Sequence, residues 1–89
     1  MNGIITVLGH DSVGIIARVC TYLSQNNINI LDISQTIVAG YFNMLMIVDL
    51  KESSIGFAAV SDGLRELGHE IGVDIRLQHE AIFDSMHKI

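Results

Sequence analysis

The residues whose types and spacing could do chemistry lie in Gly9-His10-Asp11-Ser12-Val13-Gly14-Ile15. This stretch sits between an apolar run, Ile4 to Leu8, and an amphipathic segment, Ile15 to Leu23, and so reads as strand, tight turn, helix. Gly9 can take a backbone conformation closed to other residues, and Gly14 lets the backbone pass close to a neighbour or a ligand. Asp11 or Ser12 is placed to cap the helix, its side-chain oxygen accepting a free N–H of the first turn. A helix start has unpaired donors and a partial positive charge, which suits a carboxylate or a phosphate. The plain alternative is a connecting turn that uses glycine only for its geometry.

Other chemistry finds little material. The four histidines, His10, His69, His79 and His87, have no metal-ligand spacing with a carboxylate or cysteine on the same element. No metal or other cofactor is expected. Solvated side chains are the ordinary state for His69 and His87. His79 continues the inward phase of the last strand and can close its end, and His10 lies in the opening loop. No element pairing yields a Ser-His-Asp or Cys-His arrangement. The turn lacks both the spacing and the Lys-Ser/Thr ending of a P-loop. Met44 and Met46 share a strand face and read as core or interface filler. No enzyme activity is expected.

The elements must position that turn. The chain has 89 residues, 49% of them hydrophobic, with no proline, no tryptophan and a net charge of -5. One small domain with a thin core is expected. So much apolar content implies surface that one core cannot hide, and a second copy is its simplest use. The five Lys and Arg are scattered, so nucleic-acid binding is not expected, since phosphate neutralisation needs clustered charge. The apolar runs are too short to cross a bilayer, and the opening lacks the basic region of a secretory signal. The single cysteine, Cys20, cannot form an internal disulfide and falls on an apolar helix face as an inert thiol. A cytoplasmic setting fits.

In chain order, Asn2 to Leu8 reads as a strand apolar on both faces. Gly14 to Gln25 reads as a helix with a buried stripe of Ile16, Val19, Cys20 and Leu23, stopped by Asn26-Asn27. Ile28 to Val38 reads as a strand whose alternation changes phase: Ile28 and Ile30 share a face, then Leu31, Ile33 and Ile37 fall in the opposite phase. A bulge near Ile30-Leu31 would explain this. Ala39-Gly40 turns the chain into a third strand, Tyr41 to Leu50, with Phe42, Met44, Met46, Val48 and Leu50 on one face. A second helix, capped by Ser53 or Ser54, runs to about Leu67 with Phe57, Val60, Leu64 and Leu67 as its stripe and Gly68 as its C-cap. Gly56 and Gly63 inside it each cost about 1 kcal/mol relative to alanine. Ile71 to Gln78 alternates cleanly as a last strand. From Glu80, Ile82, Phe83, Met86 and Ile89 recur at helical spacing and form a short sticky tail.

Strand, helix, strand, strand, helix, strand with right-handed crossovers gives an α+β, ferredoxin-like βαββαβ domain. It has a four-stranded antiparallel sheet with two helices on one face and a short C-terminal helix. The other sheet face then needs a cover, either a second copy or the terminal helix. Acylphosphatases share this arrangement but hold phosphate with an arginine in the loop after the first strand. This loop has none, and Arg18 lies about a turn into the helix.

The apolar strand, the pattern Gly9-x-Asp11-x-x-Gly14-Ile15 and the helix ending in Asn27-Ile28-Asn29-Ile30 resemble the ACT domain over nearly the whole chain. The Ile82, Phe83, Met86 tail resembles the small free-standing bacterial ACT proteins. The resemblance implies a regulatory module that senses an amino acid or related metabolite between paired domains. It carries ligand contacts onto Asp11 and Gly14 and onto Asn29 of the second strand. Val13 stands where many members have proline, which loosens the turn. Gly9 stands where some serine-binding members have histidine, which removes one contact. Most members are attached to a catalytic domain; 89 residues leave no room for one, so the output is expected to pass to a separate metabolic enzyme or regulator. The expected site is Asp11, Ser12, Val13, Gly14, Ile15 and Asn29, in a homodimer. The helix start would take the ligand's carboxylate, and Asn29, from either subunit, one end of the zwitterion; Asp11 would pair with the ligand's ammonium group or with the asparagine side chain, or else only cap the helix. The other reading is a protein–protein interaction module with no small-molecule ligand.

Overall fold

A computed structural model describes residues 1–10 and 14–81. Six elements follow in the expected order: β1 (Asn2–His10), α1 (Ile15–Gln25), β2 (Asn29–Val38), β3 (Tyr41–Asp49), α2 (Phe57–Ile71) and β4 (Asp74–His79). The strands form one sheet in the order β2-β3-β1-β4, every neighbour antiparallel. This is the ferredoxin-like arrangement.

Period-two alternation assigns the two faces. Ile5 and Val7 of β1 join Phe42, Met44, Met46 and Val48 of β3 and Ile75 and Leu77 of β4. Val19 and Leu23 of α1 and Val60 and Leu64 of α2 close over them, all essentially without exposed surface. A side chain of this size, once buried, contributes about 1.5–3 kcal/mol, so this layer holds the fold. Among the described residues no polar or charged side chain is buried. Arg18 of α1 and Glu70 of α2 pair across the surface at 2.7 Å. Both are exposed, so the pair contributes at most about 1 kcal/mol.

The phase change in β2 is a bulge. Ile30 pairs with Val48 and Asp32 with Ile47, leaving Leu31 as the extra residue. The bulge returns Ile33 and Ile37 to the helix-side phase, opposite Met46 and Phe42. Neither α1 nor α2 extends far enough to bury them. Ile33 keeps 43% and Ile37 60% of its surface exposed. The β2–β3 turn uses Ala39 at φ 53 and Gly40 at φ 82, the paired left-handed conformations of a tight hairpin.

Four local expectations are corrected. The N-cap of α1 is Gly14 at φ 90 with no side-chain cap, and not Asp11 or Ser12; Asp11, Ser12 and Val13 lie outside the described residues. The N-cap of α2 is Gly56. Ser53 instead closes the turn before it, its hydroxyl donating to the Ile55 carbonyl at 2.7 Å and accepting the Ile55 N–H at 3.3 Å. Gly68 does not end α2, which continues to Ile71 and stops at Gly72, φ 79. β4 accordingly begins at Asp74 and not at Ile71. Gly68 is needed for contact: a Cβ there would lie 2.6 Å from the Val73 carbonyl oxygen and 3.0 Å from Ile75 Cγ1. Gly63 is explained the same way. Tyr22 of α1 reaches across to it, and a Cβ would lie 2.7 Å from Tyr22 Cζ. The terminal helix expected over residues 82–89 lies outside the described residues.

Candidate functional site

Two shallow grooves flank α1 where it meets β2. The first lies at the start of the helix, spans about 450 Å³ and is lined by Ile16, Gln35, Thr36, Ile37 and Phe42. The first helical hydrogen bond of α1 runs from the Arg18 N–H to the Gly14 carbonyl at 2.9 Å. The N–H groups of Ile15, Ile16 and Ala17 therefore precede the ladder and lack helical partners. Gly14 leaves this end open, since a Cβ on it would meet nothing within 4 Å. The Ile15 side chain turns inward and keeps only 3% of its surface, so its backbone N–H is what it can offer. The arrangement can hold a small zwitterion, with a carboxylate at the helix start, aliphatic walls from Ile16, Ile37 and Phe42, and the Gln35 amide as donor and acceptor.

The second groove lies at the other end of the helix, spans about 470 Å³ and is lined by Cys20, Leu23, Ser24, Asn27, Ile28, Asn29, Ile30 and Glu52. Asn27 stands at φ 58, the left-handed turn that stops α1. Asn26 completes the stop, its side-chain amide donating to the Tyr22 carbonyl at 2.9 Å. Cys20 is free and half-buried here.

These placements separate two expected site residues. Asn29 pairs with Asp49, which pairs with Asn2 at the start of β1. Gly14 follows the end of β1 at His10. The nine-residue strand between those ends is roughly 26 Å long at ~3.3 Å per residue. Within one chain, therefore, Asn29 and the start of α1 do not meet.

The histidines have packing or surface roles. His10 stacks on Tyr41 with ring centroids 4.7 Å apart. His79 stacks on Phe57 at 4.0 Å and 7°, closing the end of the core. His69 is exposed in the last turn of α2, and His87 lies outside the described residues. Among the described residues no group of three His, Cys, Asp or Glu could hold a metal ion, and no helix is long and apolar enough to cross a membrane. Burial pushes the Tyr22 phenol above its ordinary range, and the nearby Glu66 carboxylate adds to the shift. Another concavity, about 830 Å³, lies between α2 and β4 and is lined by Asp62, Arg65, Glu66 and His69 among others. Its Arg65 pairs with Asp62 at 3.4 Å in the open, and no helix start points into it.

Residue types did not mark Gln35, Ile37 and Phe42 as site residues. They read as strand alternation, and only the bulge and the hairpin register bring them beside Ile16.

Comparison with known proteins agrees with this fold. The ACT domain model matches residues 3–78. A UPF0237 protein of Bifidobacterium longum is 63% identical over 88 residues, 99% of this chain and 98% of its own length. The structure of an ACT domain protein from Streptococcus pneumoniae superposes with a TM-score of 0.83 at 37% identity, covering 93% of each chain. The regulatory subunit of aspartate kinase from Thermus thermophilus shares the fold, with a TM-score of 0.65 at 23% identity over 86% of this chain and 50% of that one. The chain belongs to the ACT domain family.

Proposed function

We propose that this chain is a regulatory module that binds a small amino acid or related metabolite as a homodimer, each site being built from two subunits. ACT domains are regulatory and often bind amino acids, and a neighbour of the same fold is the regulatory subunit of an amino-acid kinase. The observation that carries the reading is the exposed β2 edge together with the two grooves at its ends. Every residue of β2 except Ile30 is exposed, including Leu31, Ile33, Ile37 and Val38. An unpaired apolar edge of this kind templates pairing with another strand. Two copies of β2 related by a two-fold axis run antiparallel, so the Asn29 end of one meets the Val38 end of the other. That brings the groove holding Asn29 and Cys20 towards the partner's groove at Gly14 and Ile16.

In this arrangement the start of α1 binds the ligand's carboxylate, Asp11 its ammonium group, and Asn29 of the other subunit reads the remaining polar end. The loop residues Ser12 and Val13 shape the entry. Binding then stabilises the dimer, and that coupling is the signal. The signal passes to a separate metabolic enzyme or regulator; neither nucleic acid nor membrane is a partner. The free thiol of Cys20 goes with a cytoplasmic setting.

The test is a thermal-shift screen of the amino acids followed by calorimetry with the best ligand. Saturation at 100 times the dissociation constant adds about 2.7 kcal/mol. Gly14→Asn and Asn29→Ala are then mixed and allowed to exchange subunits. Each variant alone binds nothing. The mixture regains about one quarter of the wild-type sites, because half the dimers are mixed and each carries one intact site. No recovery in a mixture shown to contain the heterodimer would overturn the shared site. No binding by wild type at millimolar ligand would leave the reading as an interaction module without a small-molecule ligand.

A further inference from the structure

The groove at the start of α1 has a lining that ionises nowhere among the described residues: Ile16, Gln35, Thr36, Ile37 and Phe42. Arg18, the one cation of α1, is held across the surface by Glu70 at 2.7 Å. His10 is turned away. Alternation from Ile5 and Val7 of the core puts it on the far side of the sheet, where it stacks on Tyr41. Thr36 pairs with Asn43 and alternates to that same far side, so it meets the groove through its backbone. Gln35 is then the one polar side chain among the described lining residues that faces the helix layer.

The apolar walls are aliphatic. Ile37 keeps 60% of its surface, whereas Phe42, its partner in the β2–β3 register, keeps 5%. Ile16 is half-buried. The phenyl ring is a floor with almost no open face, so the carbon a ligand can touch belongs to Ile16 on α1 and Ile37 on β2.

We propose, building on the amino-acid site described above, that the ligand is an amino acid with an aliphatic side chain, which lies between Ile16 and Ile37. The helix start and the Gln35 amide serve the zwitterion. A charged or hydroxylated side chain laid on these walls would give up water and gain no partner, which is unfavourable. An aliphatic side chain gains by leaving water. An aromatic ring finds no open ring to stack on, because Phe42 is covered.

Calorimetry on the full chain tests this, with leucine, isoleucine, alanine, serine, aspartate, lysine and phenylalanine as probes. Leucine or isoleucine should bind roughly tenfold more tightly than alanine. Serine, aspartate and lysine should bind no better than alanine, and phenylalanine more weakly than leucine. Ile37→Ser and Ile16→Ala should each lower the preference for leucine over alanine to about threefold or less. Ile37 is exposed, and circular dichroism with light scattering checks that fold and assembly are kept. Ile16 lies off the β2 edge, so Ile16→Ala decides the question where Ile37→Ser alters assembly. Equal affinity for leucine and alanine, tighter binding of serine, aspartate, lysine or phenylalanine, or a wild-type preference in both variants would overturn the aliphatic ligand and leave an amino-acid module standing. No binding of any amino acid would overturn the module reading, and the aliphatic ligand with it.

Discussion

Replacing Gly14 tests the link between the backbone of the opening turn and the site. Gly14 stands at φ 90, and a Cβ there would meet nothing within 4 Å. A side chain therefore costs stability through backbone strain alone, without a clash. A non-glycine residue in the left-handed region costs roughly 1–2 kcal/mol, and a β-branched one sits at the upper end or beyond. Gly14→Val, which residue size alone would make an innocuous way to block the groove, should lose about 2 kcal/mol. For a domain of this size that is a fall of about 8–16 °C in Tm. Asparagine tolerates the conformation better, so Gly14→Asn should lose less than about 1 kcal/mol while still placing a side chain at the start of α1. Denaturant unfolding of wild type and both variants at matched protein concentration measures this, with unchanged slopes showing that the unfolded states compare. If Gly14→Val unfolds at the wild-type midpoint, Gly14 does not hold a left-handed conformation and the described entry to α1 is wrong.

Gly68→Ala should destabilise by about 1–2 kcal/mol in denaturant unfolding, because overpacking against the Val73 carbonyl (about 1–3 kcal/mol) exceeds the gain of about 1 kcal/mol in helix propensity; a neutral or stabilising result would refute the packing argument. The double change Ile33→Lys, Ile37→Lys on the β2 edge should convert the proposed dimer to monomer in light scattering at micromolar concentration while circular dichroism keeps its shape. Tyr22 has a folded-state pKa raised above its ordinary 10.0, chiefly by desolvation. Because the fold favours the protonated phenol, this contribution is present below pH 10 and is lost as pH rises through the higher folded-state value. Wild type should therefore lose more stability than Tyr22→Phe across that alkaline window, and parallel profiles would contradict the burial of the phenol.

What the sequence determined by itself was local and periodic. Apolar residues at i, i+3 and i+4 specify a helix face, and alternation specifies a strand, because each depends only on the geometry of a single element. The stripe of Val19 and Leu23, the inward set from Phe42 to Val48, the bulge at Leu31 and the Ala39-Gly40 turn were all legible for that reason. The glycines were not. Gly68 carries the signature of a helix end, but it is a glycine because β4 passes against it, and Gly63 is one because Tyr22 crosses from the other helix. Those neighbours arrive from elsewhere in the chain, so no local pattern records them. The site divides the same way. Gly14 could be picked out as a helix start and Asn29 as a polar residue opening a strand. Only the register, with Asn29 and Asn2 both opposite Asp49, decided that the two lie at opposite ends of the sheet. Sequence separation sets how long the connecting chain is; the sheet decides where its ends go.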